Sequence, residues 1–202
     1  MIKRLFNPFL YVAGSKSLLI GLSIMLATTA VSYFSHIHFP DPISVKVAIG
    51  FPLWVYLVQN LANWLVVSVL FYIAALVLSK SSVRAIDIFG TQALARAPYL
   101  IASFTGFTGV LETFGKFLLW ITTNTGNPVE ITGAQILFAV LLLILTMVLT
   151  VWLVALMFNA FKVSSNLKGA KLIVSFIVIL LISIGIMLKI TFMIVPHNTP
   201  LI

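Results

Sequence analysis

The chain has 202 residues, of which 61% are hydrophobic and 8% charged, with a mean hydropathy of +1.19 and a formal net charge of +8. That balance lies outside the range of soluble domains and excludes a conventional water-soluble fold. Cysteine is absent, which excludes disulfides, thiolate chemistry and cysteine metal sites within this sequence.

Long uncharged stretches alternate with short basic connectors from end to end. A hydrocarbon core needs about 20 apolar residues in helical form. Lipid offers no hydrogen-bond partner to the backbone, so each span must be a helix or part of a closed barrel, and the ten-residue polar alternation of a barrel is missing. The expected fold is therefore all-α, a polytopic bundle of five transmembrane helices at about 17–35, 53–78, 97–121, 136–158 and 171–193. One domain covers 17–195, preceded by a cytoplasmic or interfacial segment at 1–16 and followed by an extracytoplasmic tail at 196–202.

In chain order, Lys3 and Arg4 precede an apolar run, the pattern of a signal peptide, but Lys16 breaks that run and the next is a full span. An uncleaved first span is expected. Residues 5–15 mix Phe6, Phe9, Leu10 and Tyr11 with Asn7, Pro8 and Gly14, which reads as a segment lying on the inner membrane surface. Tyr33 and Phe34 close the first span, Phe51, Pro52 and Trp54 open the second, and Trp120 marks the exit of the third, as interfacial aromatics do. The loops around "HIHFPDP" and around Asn124, Gly126, Asn127 and Pro128 are turn-rich and short. Between the second and third spans, Ile86, Phe89 and Leu94 can share an apolar face of a short helix, with Ser82 as its cap and Pro98 at the entry to the next span.

The positive charge is placed for membrane orientation rather than for nucleic acid. Lys3, Arg4 and Lys16 precede the first span, Lys80, Arg84 and Arg96 join the second to the third, and Lys162, Lys168 and Lys171 join the fourth to the fifth. The opposite connectors hold Lys46, nothing basic at 122–135, and Lys189. By the positive-inside rule the amino terminus is cytoplasmic and five crossings leave the carboxyl terminus outside.

Four groups of residues are functional candidates. His36, His38 and Asp41 share an outer loop, and imidazole with carboxylate is a zinc ligand set; two histidines one residue apart in a loop are more often interfacial residues, so no bound metal is expected. Glu112 and Lys116 stand one helical turn apart in the order that favours an ion pair. Intramembrane charge is costly and points to function, but a helix starting at Arg96 places Glu112 roughly 24 Å along, near the outer headgroups. A self-neutralised interfacial pair is preferred. Asn60 and Asn63, with Gln59 beside them, share a face of the second span and are expected to bond a neighbouring helix; if Glu112 faced them, the group would line a small polar cavity. The fourth group is cytoplasmic: Lys80, Arg84, Asp87 and Arg96 in one connector and Lys162, Lys168 and Lys171 in the other, placed to meet a partner or anionic lipid headgroups.

With "NPF" at residues 7–9, "GTQALARAPYL" at 90–100 and "LKGAKLIVSFIVILLISIGI" at 167–186, the chain resembles the bacterial branch of the Ypt-interacting protein family, the YIP domain family, over nearly its whole length. The resemblance implies a five-span bundle in the cell inner membrane. Eukaryotic members associate with Rab-type GTPases and with one another in vesicle traffic, through a longer cytoplasmic amino-terminal region. Here only about 16 residues precede the first expected span, which argues against GTPase binding.

No Gly-rich phosphate loop, HExxH or Ser-His-Asp set is present, so no enzyme activity and no cofactor are expected. The expected role is that of a non-enzymatic membrane scaffold or membrane-organising protein whose partners are the bilayer, itself or other membrane proteins. The alternative is a small-solute or ion transporter or channel with a polar site in the outer half of the bundle. Small residues at Ala102, Gly106 and Gly109 allow close helix approach in the third span.

Overall fold

The computed structural model describes residues 5–47, 50–124 and 128–195. The expectations resting on Lys3, Arg4, Gly126, Asn127 and the 196–202 tail lie outside the described residues. A short 3₁₀ turn, Pro8–Leu10, leads into α1 (Gly14–Ser35); a two-stranded antiparallel hairpin follows, β1 (Ile37–His38) with β2 (Lys46–Val47). Next come α2 (Leu53–Leu78), α3 (Ala85–Leu94), α4 (Ala97–Ser103), a 3₁₀ turn at Phe104–Thr108, α5 (Val110–Thr123), α6 (Gly133–Ser165) and α7 (Gly169–Ile194). The fold is all-α apart from the hairpin, and among the described residues α1, α2, α6 and α7 are long and apolar enough to cross a membrane.

The tightest contact joins α1 to the α3–α4 segment. A Cβ on Gly21 would lie 2.5 Å from the Ala93 carbonyl carbon, one on Gly90 would lie 2.6 Å from the Gly14 oxygen, and one on Gly106 would run into the Ser35 carbonyl. Later residues of one element therefore meet later residues of the other. The segment 85–108 runs parallel to α1 and alongside almost all of it. Ser17 Oγ adds a hydrogen bond to the Gly90 carbonyl (3.0 Å). Backbones this close gain dispersion and short polar contacts, the means by which helices associate where apolar burial provides no driving force.

The expected third helix at 97–121 is corrected by this arrangement. The chain breaks at Gly109, which holds φ +64, a left-handed conformation that costs glycine little, and α5 departs as a separate helix. The packed segment starts at Ala85, well before the expected boundary, because Gly90 lets the connector press onto α1. Within that connector Ile88, Gly90, Thr91, Gln92 and Ala93 are buried. Arg84, not Ser82, occupies the N-cap position of α3, and no side chain caps it.

The core runs between α2, α6 and α7, with Phe71 stacked on Phe161 (4.3 Å between centroids) and on Phe176 (5.5 Å). The α6 start carries a capping box in which Thr132 and Gln135 satisfy each other's backbone. At the amino-terminal end Phe9 is buried while Leu10 and Tyr11 remain exposed; Trp152 and Asn159 of α6 donate to the Leu5 and Phe6 carbonyls (3.2 and 2.9 Å), clasping this segment to the bundle.

Gly21→Leu and Gly106→Val should each lower stability by about 2 kcal/mol or more by overpacking an immobile backbone. Gly185→Ala, where a Cβ meets nothing within 4 Å, should be neutral or slightly stabilising. Thermal unfolding in detergent of the three variants checks the contrast.

Candidate functional site

The sequence around "HIHFPDP" is apolar apart from its two histidines and Asp41, and two prolines remove backbone donors that would otherwise need partners. Ile37, His38, Phe39, Pro40, Asp41 and Pro42 are all buried. The loop therefore folds back into the bundle instead of lying over it. Its carbonyls are taken one by one by side chains from three helices: Asn63 Nδ2 of α2 donates to Phe39 O (2.7 Å), Thr191 Oγ1 of α7 to Pro40 O (2.7 Å), and Tyr99 Oη of α4 to Pro42 O (2.6 Å). The Phe39 ring stacks on Tyr99 at 3.9 Å between centroids. Asp41 closes the loop locally, one carboxylate oxygen accepting from the backbone of Ile43 and Ser44 (both 3.0 Å).

The three loop candidates for metal do not converge. His36 is exposed with φ 58, His38 points inward to Gln59, and Asp41 caps its own turn; no group of three or more metal-ligating side chains exists among the described residues. His38 Nδ1 donates to Gln59 Oε1 (3.2 Å), and its ring meets Phe51 edge to face. Burial pushes the His38 pKa down from 6.5 to about 4; the Gln59 hydrogen bond opposes this, Lys46 adds a smaller push down and Asp41 a smaller pull up. At neutral pH the imidazole is uncharged, which suits a site walled by Phe51.

Asn60 Nδ2 donates to Met25 O (2.9 Å) and Thr29 Oγ1 (3.1 Å) on α1, so Asn60 and Asn63 tie α2 to α1 and to the loop. Glu112 stands apart from them. Its carboxylate holds Lys116 Nζ at 2.6 Å on α5, where both side chains reach the surface. The cluster of Asn60, Asn63, Glu112 and Lys116 divides into one amide bonded to a helix, one bonded to the loop, and a separate ion pair reaching the surface of α5.

The basic candidates divide too. Lys80, Arg84, Lys162, Lys168 and Lys171 are exposed, and the two connectors that carry them meet: Asn166 Nδ2 donates to Ser81 Oγ (3.3 Å), and Ser164 Oγ lies 2.8 Å from Thr91 Oγ1. Arg84 approaches Asp87 at 4.0 Å with most of its side chain in the open, a pair of little energetic weight. Arg96, expected among these surface cations, is buried at 2% exposure. Its guanidinium lies 5.8 Å from the Tyr99 ring centroid, and Nη1 and Nη2 have no hydrogen-bond partner among the described residues. One turn earlier Gln92 donates to Met157 O (3.1 Å) while its own Oε1 is unpartnered. The physical reason is again the close α1 contact, which draws the later part of the connector, from Ile88 to Arg96, into the bundle.

Sequence reasoning missed Tyr99 and Thr191 as loop anchors and Ser17, Gly21, Met25 and Thr28 as the buried stripe of α1. The stripe had a signal, small residues at spacings of three and four; the anchors had none, since only the loop's return brings them to it. No family model, curated protein or solved structure matches the chain.

An unfolded histidine takes up its proton near pH 6.5 and His38 in the folded protein only near pH 4. Stability should therefore fall as pH drops from about 6.5 to about 4, by about 3 kcal/mol in total. Comparison of melting curves for the native protein and His38→Gln isolates this slope, which should vanish in the variant. Asn63→Ala should cost about 1 kcal/mol and speed thiol labelling of a cysteine placed at Ser44, because the Phe39 carbonyl loses its anchor.

Proposed function

We propose that the chain is a non-enzymatic scaffold of the YIP type in the cell inner membrane, crossing it five times with its amino terminus cytoplasmic and associating with itself or other membrane proteins. The observation that carries this reading is the use of the interior polar side chains. Asn60, Asn63, Trp64, Gln92, Tyr99 and Thr191 each donate to a backbone carbonyl of a neighbouring element. Their donors hold helices and loop together and are not free for a moving solute, while the amide oxygens of Asn60, Asn63 and Gln92 have no partner among the described residues. Support for the third crossing comes from the parallel run of 85–108 beside α1. Support for one basic face comes from the Asn166 to Ser81 bond, which keeps Lys80 and Arg84 on the side of Lys162, Lys168 and Lys171.

A second reading, small-solute or ion passage, draws on Arg96 Nη1 and Nη2 and Gln92 Oε1, all buried without a hydrogen-bond partner among the described residues. A buried charge without a counter-charge is costly, and intramembrane examples often mark transport paths.

The native chain has no cysteine, so single cysteines at Ser44, Ser82, Glu130 and Asn166 report topology directly. A membrane-impermeant thiol reagent applied outside should label the Ser44 and Glu130 variants only; labelling at Asn166 from outside would remove the third crossing. Proteoliposomes of the native protein should release entrapped potassium no faster than protein-free vesicles. Release that is lost in a folded Arg96→Gln variant would transfer the assignment to the second reading.

A further inference from the structure

Between the hairpin, α5 and α6 lies a groove of about 420 Å³, within the size range of small-molecule sites, about 300–1,000 Å³. Its walls are apolar: Val45 and Val47 from the hairpin, Leu111 and Phe114 from α5, Leu143 and Thr146 from α6. The Thr146 hydroxyl donates to the Leu143 carbonyl (2.8 Å), so its proton is already engaged within α6. One charged residue lines the cavity, Lys46, which is exposed and makes no side-chain hydrogen bond or ion pair among the described residues. Lys116, next to the lining Gly115, is neutralised by Glu112. Beside the lining residues α6 is apolar and exposed at Val140 and Met147, the kind of face that meets lipid chains.

We infer that this groove binds one acyl chain of an anionic phospholipid, with the Lys46 ammonium on its phosphate. An amphiphile with a single apolar tail and a negative head matches a narrow apolar slot with one unpaired cation at its rim. A second copy of the chain matches it poorly. Of the four acidic residues in the sequence, Asp41 is buried in its own turn and Asp87 and Glu112 face cations, leaving Glu130 alone to answer Lys46. The site does not depend on the number of membrane crossings or on the scaffold assignment.

The test is native mass spectrometry of the purified protein incubated in detergent with phosphatidylglycerol, with phosphatidylcholine of the same chains, or with inorganic phosphate. One phosphatidylglycerol should be retained about fivefold more strongly than phosphatidylcholine, the factor expected for a single lysine facing an anionic headgroup. Lys46→Gln should bring the two lipids level. Gly115→Phe and Thr146→Phe, two independent fillings of the groove, should abolish retention of both lipids in whichever variant keeps a native melting transition. Equal retention of the two lipids by the native protein, no response to Lys46→Gln, or retention of lipid in a folded groove-filled variant would overturn the assignment. So would retention of inorganic phosphate matching that of phosphatidylglycerol, because the chain would then contribute nothing.

Discussion

Three glycines allow α1 and the α3–α4 segment to lie backbone against backbone, and the other elements take their places from that contact. Where Gly21, Gly90 and Gly106 stand, any side chain would collide with a carbonyl or a main-chain carbon of the neighbouring element. The consequence is a parallel pair whose later element is not a uniform helix: it passes Pro98, tightens to a 3₁₀ turn at Phe104–Thr108 and stops at the left-handed Gly109. Such irregular backbone within an apolar bundle is tolerated where neighbouring protein covers it; here α1 and the loop cover it as far as Gly106, while Phe107, Thr108 and Gly109 are exposed.

The loop after α1 is the second constraint. A buried loop must satisfy its own carbonyls, and this one does so through Asn63, Thr191 and Tyr99, residues more than twenty positions away in sequence, in α2, α7 and α4. Helices distant in the chain are thereby joined through a segment that belongs to none of them. Neutral His38 on Gln59 and the Phe39 ring stacked on Tyr99 complete the packing.

Charge follows two rules in the same molecule. Exposed Lys80, Arg84, Lys162, Lys168 and Lys171 gather where two connectors touch, and Glu112 with Lys116 neutralise each other on the surface of α5. Arg96 breaks the pattern by entering the bundle, with the face of Tyr99 as its nearest compensating group. Lys46 lines an apolar groove and meets no acid among the described residues, so the two unusual cations stand on different elements and in different surroundings.

Composition and uncharged run length by themselves determined that the protein is an all-helical membrane bundle, and they located the four long helices, because lipid leaves a backbone no other way to satisfy itself. The pairing of Glu112 with Lys116 and the role of Asn60 as a tie to another helix were also legible, since both follow from local spacing and from the cost of polar atoms in lipid. What only the tertiary structure decided was the path of residues 85–123, the burial of Arg96 and the descent of the "HIHFPDP" loop into the bundle. Each depends on how closely two backbones approach or on side chains from remote helices reaching a carbonyl, and hydropathy averaged along the chain carries neither distance.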